Sequence, residues 1–81
     1  MLSKTHKIFL KKVGFEIHPA RPIEVAGKTV KRQMIKRGED RFIIYSNTHI
    51  VFSNNILSFQ NEAFTVTFSI FQDGTIDLIL M

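Results

Sequence analysis

The chain has no cysteine, no tryptophan, one tyrosine and two prolines among its 81 residues. Without cysteine there is no disulfide framework, no thiolate metal site and no cysteine nucleophile, which suits a reducing, cytoplasmic setting. Long apolar runs are missing too. The longest, Phe42–Tyr45 and Leu78–Met81, are four residues each, far short of the roughly 18 that a membrane span needs. Lysines interrupt the opening Met1-Leu-Ser-Lys-Thr-His-Lys7, so it does not read as a signal peptide. The length fits one domain, residues 1–81, below the usual mode of about 100–150 residues. Its core must be small.

The most informative absence is of positive charge. Residues 42–81 hold no Lys or Arg and three acids (Glu62, Asp73, Asp77), where ordinary usage would place about five basic residues. All eleven cations lie between Lys4 and Arg41, with four acids among them, a local net of +7 within a chain of +4. A total of +4 lies in the ordinary solubility range of about 2–8. The confinement is what carries information: it suggests a basic surface facing an anion and an apolar half devoted to packing or assembly.

Residues 2–13 read as a basic amphipathic helix. On a wheel of about 100° per residue, Leu2, His6, Phe9, Leu10 and Val13 share one side. Lys4, Lys7, Lys11 and Lys12 share the other, with Ile8 the one apolar residue among them. Ser3 or Thr5 can supply the N-cap oxygen, and Gly14 stands where a left-handed residue ends a helix. Phe15-Glu-Ile17 alternates like a strand. Residues 19–22 (Pro-Ala-Arg-Pro) read as an extended connector, because proline cannot join an interior ladder.

Residues 23–41 read as a basic arm or hairpin. Ile23-Glu-Val25 suggests a short strand and Ala26-Gly27-Lys28 a turn. The stretch from Thr29 to Lys36 fits neither period well. A helix would strand Ile35 among charges, whereas a strand sets Val30, Arg32 and Met34 on one face, and the following Arg37-Gly-Glu-Asp40 turn favours the strand. Residues 42–81 read as an apolar antiparallel sheet, with Arg41–Ser46 and His49–Ser53 joined around Asn47-Thr48. Asn54-Asn55 tolerates the positive φ of a type I′ turn, setting Phe52 opposite Leu57 and Ile50 opposite Phe59. From Phe64 to Phe71 the alternation is clean, with Phe64, Val66, Phe68 and Ile70 inward. Its partner runs from Thr75 to Met81. A two-residue Asp73-Gly74 loop would mix polar and apolar side chains on both faces. A three-residue Gln72-Asp73-Gly74 loop pairs Ile70 with Ile76, Phe68 with Leu78 and Val66 with Leu80, so burial selects it.

The fold class expected is α+β: an N-terminal amphipathic helix packed on a curved antiparallel β-meander of about five to seven strands. Twenty-one of the forty residues after Arg41 are hydrophobic, more than one buried face needs. Ile43, Tyr45, Val51, Ile56, Phe71, Ile79 and Met81 are left for a second face, an edge or a homodimer interface.

No motif points to catalysis or a cofactor. Gly27-Lys28-Thr29 matches the end of a phosphate-binding loop, but the glycine needed at position 22 is proline. His6, His18 and His49 have no ligand spacing, so no metal is expected; His6 falls on the apolar stripe, where a part-buried, satisfied histidine is the common outcome. Glu16 and His18 share a strand face as an acid–base pair, a spacing frequent by chance. The segment Phe9-Leu-Lys-Lys-Val-Gly-Phe-Glu-Ile17 resembles the opening of HicA-type toxin domains. Their catalytic Gly-Ser-His-His segment is replaced here by His18-Pro-Ala-Arg-Pro-Ile23, so no activity is carried over.

The strongest signal is Lys28-x-x-Lys31-Arg32-x-x-x-Lys36-Arg37-x-x-x-Arg41. Closely spaced Lys and Arg are what phosphate recognition needs, and Arg adds planar, bidentate contacts. As a strand, the segment sets Lys31 and Ile35 opposite to Arg32 and Lys36, and Lys4, Lys7, Lys11 and Lys12 could extend the footprint. No aromatic lies among residues 18–41, so any stacking platform must come from elsewhere. The expected function is a small, non-enzymatic basic protein contacting RNA, rather than DNA, or a nucleic-acid–protein complex. Chains of this kind are common as viral or mobile-element regulators and inhibitors. The alternative is a protein-interaction or assembly module, a homodimer or host-factor inhibitor, working through a sheet edge or an acidic partner. A third reading is a metal-independent RNase-like toxin using His49, Tyr45 and an arginine.

Overall fold

A computed structural model describes residues 2–60 and 66–80. Phe64, Thr65 and Met81, and the side chains of Val66, Ile79 and Leu80, which the alternation assigns to faces of the last hairpin, lie outside the described residues.

The helix α1 spans Lys4–Lys12, shorter at both ends than the 2–13 expected. Ser3 is its N-cap: the Ser3 hydroxyl accepts from the His6 backbone at 3.2 Å, and the Ser3 N–H donates to His6 Nδ1 at 3.1 Å. The reciprocal pair is a capping box with histidine in the usual Glu or Gln position. At the other end Gly14 adopts φ +96°. Its N–H bonds Lys11 O and the Phe15 N–H bonds Leu10 O, the double closure of a Schellman motif. Phe9 and Leu10 are buried while Ile8, among the lysines, is 58% exposed.

Among the described residues eight strands follow, all paired antiparallel, in two four-stranded sheets rather than one meander of about five to seven. The first sheet contains β1 (Glu16–Ile17), β2 (Arg21–Val25), β3 (Lys28–Arg37) and β4 (Asp40–Tyr45). The long β3 is its spine, pairing with β4 on one edge and with β1 and β2 in succession on the other. The second sheet contains β5 (His49–Ser53), β6 (Ile56–Gln60), β7 (Val66–Phe71) and β8 (Ile76–Leu80) in sequential order. Two boundaries therefore differ from expectation. β4 belongs with the basic arm and not with the residues 42–81 sheet, and the segment around Asn47-Thr48 is a passage between sheets, not a hairpin. The ladder also begins at Arg21, inside the expected connector. Pro22 fits because β2 is an edge strand: its partner Lys31 uses its backbone N–H and C=O on Ser46 instead, at 3.1 and 2.9 Å. The missing proline N–H thus faces away from the ladder.

The expected hairpin registers are present. Asn54 and Asn55 both have positive φ, and Phe52 faces Leu57 with Ile50 facing Phe59. Ile70 pairs with Ile76 and Phe68 with Leu78 across the three-residue loop. Gly74 there adopts φ +89°, and the Asp73 carboxylate accepts from the Thr75 N–H at 2.9 Å, a bond that holds its carboxyl below the usual range.

One core joins the elements. Leu10 from the helix, Ile35 and Ile44 from the first sheet, and Leu57 and Ile70 from the second are fully buried. Aromatic stacking ties the layers: Phe42 of β4 lies 4.3 Å from Phe68 of β7, which stacks on Phe59 at 4.5 Å. Phe9 of the helix packs on Phe52 at 5.0 Å. The apolar surplus of the second half is not taken up by the inner faces: Ile43 and Tyr45 lie on the outer face of the first sheet, and Val51, Ile56 and Phe71 on the outer face of the second. Among the described residues no helix is long and apolar enough to cross a membrane.

Candidate nucleic-acid interface

Strand register decides which way each cation points. On β3, Gln33 and Ile35 are buried, and their neighbours Ile44, Phe42 and Ile17 belong to or pack against the core. The odd positions of β3 therefore face inward and the even ones outward. Lys28, Arg32 and Lys36 share the outer face at intervals of four residues, about 13 Å at roughly 3.3 Å per residue. Neighbouring strands add to the row. Arg21 of β2 lies directly opposite Arg32, and Arg41 of β4 directly opposite Lys36. Among the described residues the only carboxylate on this face is Glu16, across from Lys36 on the other edge and 3.6 Å from His18 Nε2.

Between the cations runs an apolar stripe. Ile23 opposes Val30 and Met34 opposes Ile43, all four half-buried, and the half-buried Tyr45 opposes the exposed Arg32. Tyr45 supplies the aromatic ring that residues 18–41 lack. The whole forms a basic sheet face with one ring on its β4 edge, opposite Arg32.

The spine stays on register because of a bulge. β1 pairs Glu16 with Lys36, whereas β2 pairs Arg21 with Arg32, so one extra residue is absorbed around Pro19-Ala20. The His18 N–H still reaches Met34 O at 3.0 Å, and the freed His18 carbonyl accepts from Gln33 Nε2 at 3.0 Å. That bond explains why a glutamine, and not an aliphatic residue, is buried in β3. The bulge puts His18 and Arg21 both on the outer face, around a cavity of about 170 Å³ lined by His18, Pro19, Arg21, Arg32 and Met34.

The expected site residues thus separate into groups. Lys28, Arg32, Lys36 and Arg41 come together. Lys31 lies opposite Pro22 on the other face of β3, beyond the core and exposed. Arg37 also faces inward and is occupied: Nη1 donates to Val13 O at 3.2 Å, Nη2 lies 3.9 Å from Asp40 Oδ2, and the guanidinium sits 4.7 Å over the Phe15 ring. It closes the helix C-terminus onto the sheet. Lys4, Lys7, Lys11 and Lys12 are exposed on α1, which packs into the core lined by the sheet's inner face, so they decorate another side of the molecule. Arg21 is the contributor that sequence reasoning passed over, since flanking prolines disguise its strand. The signal available was that an edge strand accepts proline.

Tyr45 and His49 fall in different sheets. Among the described residues no three His, Cys, Asp or Glu side chains converge as a metal site would require. No protein-family model matches the chain, and neither curated proteins nor solved structures yield a match.

Proposed function

We propose that the protein is a small non-enzymatic nucleic-acid-binding protein that holds RNA on the outer face of β2, β3 and β4, as a regulator or inhibitor in a reducing compartment. The observation that carries this reading is the pair of like-charge contacts, Arg21 opposite Arg32 and Lys36 opposite Arg41. Like charges directly across a ladder destabilise a sheet, and a solubilising surface would disperse them. An anion lying over both pairs turns the repulsion into binding energy. Tyr45, beside Arg32 on the β4 edge, supports unpaired RNA over duplex DNA, because a ring on a sheet face stacks on exposed bases.

The test is binding of labelled single-stranded RNA across a salt series. With three to five phosphates contacted, log K should fall with log salt at a slope of about −2 to −3.5. Reversing Arg32, Lys36 and Arg41 to Glu should abolish binding, whereas reversing Lys4, Lys7 and Lys11 should leave most of it. Salt-independent binding, or full binding by the folded Arg32/Lys36/Arg41 variant, overturns the reading.

A second reading is favoured by the edges of the second sheet. β5 and β8 are its outermost strands, and they carry the exposed Val51 and Leu78, at 44% and 52%. Such edges can add a strand from a second copy or from another protein, with the cations steering an acidic partner. Sedimentation with and without RNA separates the readings: self-association independent of RNA supports assembly through the edge.

A further inference from the structure

The geometry points to a phosphomonoester subsite at the bulge between β1 and β2, built by His18, Arg21 and Arg32, which receives the phosphorylated end of an RNA strand. It rests on the reading of the outer sheet face as an RNA surface and adds a specificity to it. Four observations converge there. The cavity of about 170 Å³ has room equivalent to about five or six liquid waters, enough for a phosphate and too little for a nucleoside with it. Arg21 and Arg32 stand opposite each other at its rim. The ion pairs among the described residues join Glu16 to His18 and Asp40 to Arg37, so neither of the two arginines has a carboxylate to neutralise it. His18 Nε2 is buried and has no hydrogen-bond partner; Glu16 Oε2 lies 3.6 Å from it, beyond hydrogen-bond reach, and the side chain as a whole keeps 41% of its surface exposed.

Those features select a charge and a shape. Two guanidinium forks and an imidazole line one cavity and can all donate to a tetrahedral anion, and each charge-assisted bond is stronger than a neutral one. A monoester offers three unesterified oxygens and close to two negative charges. A diester offers two oxygens, one charge and two bulky substituents, which the concave site excludes. Pro19 and Met34 give the cavity an apolar wall. Internal phosphates then run one way from it along β3, toward Lys36 and Arg41, with the first bases near Tyr45 opposite Arg32. The bulge is the device that makes this possible, since without its extra residue Arg21 would point to the opposite face from His18.

The experiment compares one single-stranded RNA sequence bearing a 5′-phosphate, a 3′-phosphate or hydroxyls at both ends, with the full chain. One phosphorylated strand should bind about ten-fold more tightly than the hydroxyl strand, or better. His18→Gln with Arg21→Gln, both outside the core, should erase the preference. Arg32→Lys, which keeps charge and loses the fork, should erase most of it with the salt slope intact. Lys28→Gln with Lys36→Gln should weaken all three strands alike and keep the ratio. Equal affinity for the three strands with a normal salt slope overturns the subsite and leaves the wider reading standing. No salt-dependent binding to any strand overturns both. Inorganic phosphate, titrated alone while the His18 ring resonances are followed, separates the sources of the anion. Saturable shifts with phosphate, together with no preference among strands, assign the cavity to a free anion and overturn the inference as stated.

Discussion

The two sheets are built alike and finished differently. Each has four antiparallel strands, and each gives an apolar inner face to the shared core. Outside, the first carries Arg21, Lys28, Arg32, Lys36 and Arg41, while the second carries Val51, Ser58, Ser69, Asp77, His49, Gln60 and Thr67 along its rows, with Ser53, Ile56 and Phe71 in the row nearest the turns. The second sheet meets solvent with hydroxyls and a carboxylate; Ser58 and Ser69 even bond each other at 3.0 Å. It needs no cation to do so. Solubility therefore does not account for five on the first sheet, least of all for two opposed like-charge pairs. The contrast recurs within β3, where Arg32 and Arg37 point to opposite faces. One lies opposite another arginine and a ring and lines a cavity with His18, whereas the other is held by a helix end, an aromatic face and a carboxylate.

Removing each of these arginines in turn would break that contrast most sharply. Arg37→Ala should lower unfolding stability by about 1–3 kcal/mol, the range for a charged hydrogen bond lost from a partly buried site, with a further fraction from the Phe15 contact. The Val13 carbonyl would lose this donor, and the packing of Gly14 and Gly74 against the Arg37 side chain would open. Urea titration reads the effect. RNA affinity of the folded fraction should change little. A variant with unchanged stability and poor binding would place Arg37 on the interface after all.

The opposite substitution has the opposite sign. Arg32→Thr relieves the repulsion with Arg21, keeps strand propensity and places a hydroxyl on a sheet surface. Stability should rise by about 0.2–1 kcal/mol, the span of cross-strand pair effects, while RNA affinity falls. A gain of stability with a loss of binding is what a functional surface yields when it is neutralised. If Arg32→Thr is destabilised, the pair is not in conflict and the central argument for the interface weakens.

How far these features could be read beforehand depended on whether a local rule had a unique answer. The last hairpin did, because a slip of one residue turns Phe68 and Ile70 outward, so burial leaves only the register found. Asn54-Asn55 and Gly14 were equally legible, since few residues take positive φ cheaply. The passage from β4 to β5 was not. Polar residues between two alternating strands look the same whether the chain folds back or crosses to another layer, and closure of the core decides. The face of β3 was ambiguous for another reason. Val30 and Met34 on one side balance Lys31, Gln33 and Ile35 on the other, and what settles it is the bulge that needs the Gln33 amide at the His18 carbonyl. Arg21 was hidden by its prolines, so the site was half legible: its β3 and β4 cations were in view, while Arg21 and the place of Tyr45 beside Arg32 were not.

The smallest expected effect belongs to the helix, which stands apart from the basic sheet face and should respond to pH without it. His6 Nδ1 accepts the Ser3 N–H, so that nitrogen carries no proton in the folded state. Burial, and to a lesser degree the positive charge of the chain terminus, hold its pKa below the ordinary 6.5. The unfolded chain then binds the proton more tightly than the folded one, and the linkage has a definite sign. The stabilisation is complete above the unfolded value and drains away as pH falls through the folded one. Between about pH 7 and pH 5 the urea midpoint of the wild type should drop. His6→Gln keeps an acceptor at the third helical position, where glutamine completes a capping box, and does not titrate. Its midpoint should fall less over that window, with His18 and His49 present in both proteins, and its RNA affinity at neutral pH should match the wild type. Identical pH profiles would remove His6 as the titrating cap. A loss of RNA binding would join the helix to the interface and erase the separation between the two regions.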